Sequence, residues 1–225
     1  DNVEIEVVRK KVKHLYLSVR PPAGEVRMTV PPSLDRETII SFARAKLAWI
    51  KKQQAKILAR PFPLAPDYVD GEIHCFFGRP YVLQVLATTG RPRVEVNTGA
   101  SLLLLFVRPR STKEERQKLL DAWYRRQLKA VIPGYLEKWQ KVTGVAVDEW
   151  GVRKMKTKWG SCNIRARRMW LNLELAKKSP RCLEYVILHE LVHLLERNHN
   201  HRFYTFLDQY LPDWRGRKAE LDSLV

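Results

Sequence analysis

Tyr185-Val186-Ile187-Leu188-His189-Glu190-Leu191-Val192-His193 is the stretch on which the reading of this chain turns. Its apolar residues predict a helix, and four residues advance an α-helix by about 400°, so His189 and His193 project from one face a turn apart, near enough to bind one ion. Glu190 lies beside them. Unpaired polar groups inside an apolar helix cost on the order of 1–3 kcal/mol each, a cost that a shared metal removes. Neutral imidazole suits Zn2+, and a catalytic zinc takes three protein ligands with water in the fourth place. The pattern predicts one zinc ion per chain, with Glu190 as catalytic base toward metal-bound water. A purely structural zinc site is disfavoured, because such sites are closed by four protein ligands.

The third ligand needs a separate argument. His199 follows His193 by six positions, about 600° on an unbroken helix and well off the ligand face, so the helix must turn. Asn198 tolerates the left-handed conformation that ends helices, and Asn200 suits the N-cap of a following helix with Phe203, Phe206, Leu207 and Leu211 along one side. The spacing favours His199 over His201, which falls in the first turn of that second helix; Glu196 and Glu220 stay open as carboxylate alternatives. Trp159-Gly160-Ser161-Cys162 reads either as a turn with Trp159 in the core or as part of an edge strand, where Gly160 lets a substrate backbone come close. Trp159, Gly160 and Ser161 are therefore candidate substrate-binding residues. Arg202 and Tyr204, just past the third ligand, are candidates to face a developing oxyanion. Nothing local lowers the pKa of Cys162 enough to make it a nucleophile.

Outward from this core, periodicity predicts an α+β chain. Ile5 and Val7, then Leu15, Leu17 and Val19, then Val26, Met28 and Val30 alternate as strands of a small antiparallel N-terminal region, with a turn at Pro21-Pro22-Ala23-Gly24. Ser33 is the expected cap of one long helix reaching Leu58, with Ile39, Phe42, Ala43, Leu47 and Ile50 inward. Strands are expected next at Tyr81–Val85, Val94–Val96 and from Leu102, punctuated by Gly78, Gly90 and Gly99. Lys113 to Lys141 reads as a basic amphipathic helix with Leu119, Leu120, Trp123, Leu128 and Ile132 inward, kinked or interrupted at Pro133. The composition changes at Arg108–Ser111, which divides a mainly β region, 1–108, from a helical/β catalytic region, 109–225. Val145–Met155 and Met169–Leu173 read as a strand pair joined through Trp159–Cys162. Ser179-Pro180 opens the helix of the motif, serine capping and proline at the first helical position.

At 225 residues, 45% hydrophobic and 29% charged, the chain is long enough for a sizeable core and is neither disordered nor a coiled coil. Its longest apolar run, Leu102 to Val107, is too short to cross a bilayer, so no membrane partner is expected. No N-terminal stretch has the layout of an export signal, and a cytoplasmic location is the expectation. Cys75, Cys162 and Cys182 are odd in number and never spaced as C-x-x-C, which argues for reduced thiols. Lys and Arg outnumber Asp and Glu by 41 to 24. That excess attracts anions, and between Gly151 and Arg168 there are basic residues and no acidic one.

Beyond these readings, the chain resembles the YgjP-like metallopeptidase family, zinc-dependent hydrolases akin to the SprT and WLM metalloproteases. The resemblance is carried by Lys158-Trp159-Gly160-Ser161-Cys162, Leu171-Asn172-Leu173, Pro180, Tyr185-Val186, His189-Glu190-Leu191 with His193, and Asn198-His199-Asn200 with Arg202-Phe203. Leu17-Ser18-Val19-Arg20-Pro21, Val30-Pro31-Pro32 and Trp49-Ile50 extend it more weakly. It implies zinc on His189, His193 and His199, Glu190 as base, and a zincin-like α+β body with helices packed on a small sheet. Glu196 stands where metzincins carry Gly, so the turn is not theirs.

The expected activity is a metallopeptidase acting on peptide or protein substrates. Two alternatives remain at this level: phosphoanhydride hydrolysis of a nucleotide by the same activated water, and a nucleic-acid-binding module, alone or coupled to the protease, with Trp150, Trp159 and Trp170 as a stacking surface among the basic residues. The sequence sets no oligomeric state.

Overall fold

The structure, a computed structural model, describes residues 3–20, 23–58 and 66–223. By contact it divides into two compact units, Asp1–Ala65 and Pro66–Val225. The sequence drew its division at residue 108. Residues 66–108 group instead with the C-terminal half, because the buried side chains Tyr81, Leu83, Leu103 and Leu105 belong to one core with those of the later helices.

The first unit contains β1 (Ile5–Arg9), β2 (Tyr16–Arg20), β3 (Glu25–Val30), α1 (Arg36–Ala45) and α2 (Leu47–Leu58). The strand order is β1-β3-β2. The expected antiparallel arrangement holds for β2 with β3, but β1 runs parallel to β3. β3 carries Val26, Met28 and Val30 into the core, so it takes the central place with a partner on each side, and β1 is left the far edge. Pro21 and Pro22 of the expected turn lie outside the described residues. Asp35, not Ser33, caps α1 by accepting from the Thr38 backbone N–H at 2.7 Å. The single helix expected to reach Leu58 is two, α1 and α2, separated at Lys46.

The second unit opens with β4 (Ile73–Phe76), β5 (Arg79–Ala87), β6 (Arg93–Asn97) and β7 (Leu102–Val107), ordered β4-β5-β7-β6 with β5 and β7 parallel. β4 and β5 are joined by Phe77 and Gly78, both at positive φ, a two-residue loop of the kind that matches strand twist. The Phe77 backbone N–H donates to the Ala176 carbonyl at 2.8 Å. This docks the hairpin on the 3-10 turn Leu173–Lys177, next to the start of the motif helix.

α3 (Lys113–Thr143) comes next, begun by a reciprocal Thr112–Glu115 capping box and ended at Gly144 in the left-handed conformation. Pro133 does not interrupt it. Pro133 lies on the exposed face, where water can satisfy the carbonyl that proline leaves without a partner. The opposite face buries Leu120, Trp123, Tyr124, Leu128, Ile132, Leu136 and Trp139, while Leu119 is only half-buried. β8 (Glu149–Arg153), β9 (Gly160–Asn163) and β10 (Arg168–Asn172) form a third sheet, ordered β8-β10-β9. β8 and β10 pair, in parallel, and the segment from Gly160 to Asn163 is itself a strand at the sheet edge.

The motif helix, α4 (Pro180–Val192), is buried on nearly every face and packs against α3, α5 (His201–Tyr210) and α6 (Trp214–Asp222). Ser179 occupies its N-cap position without capping through its side chain; the hydroxyl faces the Cys182 sulfur at 3.5 Å. Pro180 stands in the first turn as expected. Among the described residues no helix is long and apolar enough to cross a membrane. All three cysteines are free.

One charge cluster ties α3, α4 and α6 together. Glu184 accepts from Lys138 Nζ at 2.6 Å and from Arg217 Nη1 at 2.5 Å. Burial opposes its charged form, but these two donors outweigh that and hold the carboxyl below its ordinary pKa. A lowered folded-state pKa gives stability that is present above the unfolded value and disappears as pH falls through the folded one. Glu184→Gln should therefore lower urea-unfolding stability by about 2 kcal/mol at pH 7. The gap from the parent should begin to close below about pH 4, where the unfolded carboxyl protonates, and vanish as pH falls through the lowered folded value.

Candidate metal centre

His189 and His193 leave α4 one turn apart, as their spacing requires. The helix ends at Val192, with His193 as its C-cap in right-handed geometry. Tight backbone bonds then turn the chain, Leu195 and Glu196 both donating to the Val192 carbonyl. Asn198 has no left-handed backbone, contrary to expectation. The turn is instead braced by the Glu196 carboxylate, which accepts the Asn198 N–H at 3.2 Å. Asn200 caps α5 as expected, accepting from Phe203 N–H at 3.0 Å. This geometry brings His199 over α4, whereas His201 is not among the imidazoles that converge there.

His189, His193 and His199 each offer a ligand atom, all within 4.8 Å of one another. His199 Nε2 stands 3.0 Å from His189 Nε2. Two imidazole nitrogens approach so closely only with a proton or a cation between them. A tetrahedral zinc with bonds of about 2.0–2.1 Å sets its nitrogen ligands about 3.3 Å apart, so the cluster fits a divalent ion. The outer nitrogens support the same assignment. His193 Nδ1 lies 3.3 Å from the Glu196 carbonyl and His189 Nδ1 lies 3.4 Å from the Tyr185 hydroxyl. With the Nδ1 protons directed at those oxygens, the Nε2 lone pairs face the centre. Burial, then the charges of His193 and His199, push the His189 imidazole down to about 3. Burial lowers His193 as well. Both rings are thus kept in the neutral form that binds metal.

Phe203, fully buried on α5, lies against all three imidazoles, with ring centroids 4.9, 4.8 and 4.7 Å from those of His189, His193 and His199. The sequence placed Phe203 only on the apolar side of its helix. That position makes it a common backing for rings from one helix and the turn after it.

Glu190 is 5% exposed, and burial pushes its carboxyl up to about 8, against the opposing pull of Lys158 and the Cys162 backbone N–H. Gly160 makes the room for it. A Cβ at Gly160 would lie 2.5 Å from Glu190 Oε1. The missing side chain, expected to admit a substrate backbone, is required first by the carboxyl itself.

A cavity of about 520 Å³ opens over these groups, lined by the three histidines and Glu190, by Lys158 to Cys162, by Tyr185, by Arg197, and by Lys218, Leu221 and Asp222 of α6. Trp159, Gly160 and Ser161 therefore lie on its wall. Arg202 and Tyr204 do not. With Phe203 inward, helical periodicity turns its neighbours outward: Arg202 lies over the Phe206 ring, and Tyr204 stacks on Trp214 at 5.5 Å, with its ring 6.5 Å from that of His199. Tyr185 could have been noticed from its i, i+4 spacing to His189. The α6 wall has no local signal in the sequence. Nor do the three tryptophans make a common stacking face: Trp150 and Trp159 pack on the core, and Trp170 lies across Gly151 with the Arg153 guanidinium 4.8 Å above it.

Phe203→Leu should keep the fold, judged by circular dichroism, yet weaken zinc affinity in chelator competition by about tenfold or more, because the rings lose their shared backing. Unchanged affinity would show that the histidines need no such support.

Comparison with known proteins gives three findings. No curated protein matches the chain. Among solved structures, the metallopeptidase zymogen of Pyrococcus abyssi abylysin is similar at 16% identity and TM-score 0.38, covering 40% of this chain and 90% of that one. The zymogen of Methanocaldococcus jannaschii jannalysin is similar at 21% identity and TM-score 0.36, covering 40% and 92%. The family described as YgjP-like, metallopeptidase domain, matches residues 13–224, and the chain accordingly belongs to that family of metal-dependent hydrolases.

Proposed function

We propose that the chain is a zinc-dependent peptidase in which His189, His193 and His199 hold the metal and Glu190 is the general base. The observation that carries this reading is the meeting, in one cavity, of three convergent imidazoles and one buried carboxyl. In this reading the catalytic apparatus, a zincin-like arrangement, lies wholly within residues 109–225. Zinc bound there would supply Lewis acidity, lowering the pKa of a water and polarising the scissile carbonyl. Glu190 takes the proton from the attacking water and later returns it to the leaving amine. Its burial keeps bulk solvent from competing for that proton.

The substrate is held by β9. The Asn172 N–H donates to the Trp159 carbonyl at 2.8 Å, so Trp159 faces β10. Antiparallel alternation then directs the backbone groups of Gly160 and Cys162 toward the free edge. An extended peptide can pair with them while its scissile bond lies beside Glu190.

The test is hydrolysis of casein and of a peptide library by the zinc-loaded and chelated protein, followed by mass spectrometry. Glu190→Gln should retain stoichiometric zinc and lose about 10²–10⁴-fold in kcat. A fully loaded parent protein that cuts no peptide would sink the proposal. Gly160→Ala displaces the carboxyl from its place and should cost at least about tenfold in kcat with metal content unchanged.

A further inference from the structure

The stretch that carries β8 to β10 is lopsided in charge. Seven basic residues lie between Gly151 and Arg168, and no acidic one. Three of them are matched by carboxylates from elsewhere: Lys154 by Asp121, Arg167 by Asp148 and Arg168 by Glu149. Arg153 lies over Trp170. Among the described residues Lys156, Lys158 and Arg165 have no such match, and neither has Arg197 on the turn between the second and third histidines; of these, Arg165 and Arg197 meet at one cavity.

These two arginines share a second cavity of about 560 Å³, lined by Cys162, Asn163, Ile164, Arg165 and Arg197. Three of these, Cys162, Ile164 and Arg197, also line the first cavity, so the second extends it away from Glu190 along β9. Gly160 stands against the Glu190 carboxyl. A strand advances about 3.3 Å per residue, which sets Asn163 about 10 Å further on, and a peptide paired along β9 keeps the same pace. Two arginines lining one cavity without a paired carboxylate leave its positive charge unmatched. A carboxylate bound there supplies the match and can be held by paired N–H donors.

We propose that Arg165 and Arg197 form a subsite for an acidic side chain of the substrate, about three residues along from the bond that is cut. The subsite rests on the peptidase reading and adds a substrate class to it: peptides acidic on the side that lies against Cys162–Arg165. The chain's general positive charge would draw such peptides in, and the two arginines would select among them.

Peptides cleaved by the zinc-loaded enzyme are resynthesised in pairs that differ only in Glu or Gln at each position flanking the cleaved bond. On one side, two to four residues away, Glu should raise kcat/KM about tenfold over Gln, and added salt should shrink the gain. In the Arg165→Glu, Arg197→Glu double variant the Glu-to-Gln ratio should fall to one or invert. The same pairs are bound to Glu190→Gln protein and followed by fluorescence anisotropy, where Kd should show the same preference. Equal kcat/KM within every pair, or a preference that survives the double reversal, overturns the subsite and leaves the peptidase standing. Absence of all cleavage defeats the peptidase reading alone; Glu/Gln pairs made at each position of an extended peptide that binds the Glu190→Gln protein then decide the subsite by their Kd ratio, and equal values at every position overturn it.

Discussion

Two imidazole nitrogens 3.0 Å apart, on rings backed by one buried phenyl, are the constraint around which the larger unit is organised. Neutral lone pairs at that separation repel unless something positive sits between them. Every nearby element contributes to holding them there. α4 supplies two rings from within the core, the turn after Val192 brings the third, and α5 supplies Phe203. The surrounding apolar mass makes protonation of His189 unfavourable, so a metal is the cation that suits the place better than a proton.

Glu190 is the counterpart of that constraint. A carboxyl as buried as this one needs a nearby positive charge or a proton. Its position is set less by α4 than by an absence on β9, where any side chain at Gly160 would overlap it. The sheet and the helix are thus fitted to each other at this carboxyl. The 3-10 turn before α4 is fixed in turn by the β4–β5 hairpin, so the β region from residue 66 onward helps position the motif helix.

The features legible in the sequence were those set by local periodicity. The turn-by-turn spacing of His189 and His193, the Asn200 cap and the apolar stripe of α3 all arise from interactions within a few residues. Non-local pairing was not legible. No local signal says that β3 sits between β1 and β2, or that residues 66–108 share a core with α3 and α4. The backing by Phe203 and the fit of Gly160 to Glu190 escaped for the same reason: each depends on what another segment brings against it. Arg202 and Tyr204 follow His199 closely in sequence, but α5 keeps both off the cavity wall, Tyr204 stacking on Trp214 beside His199 and Arg202 lying over Phe206. The return of the chain after His193 was expected, but through a left-handed Asn198; the Glu196 carboxylate and two backbone bonds to Val192 accomplish it without any left-handed residue.

β9 has a neighbour on one side only. A backbone edge open to a substrate is equally open to the same edge of another molecule, the usual route to stacking and aggregation. Its brevity, four residues, limits how many bonds such a mistaken pairing could form. Lys158 and Arg165, one at either end, would set like charge against like charge whenever two copies met. The cations that dress the cleft therefore also act as gatekeepers, keeping this strand exposed for use without making it adhesive.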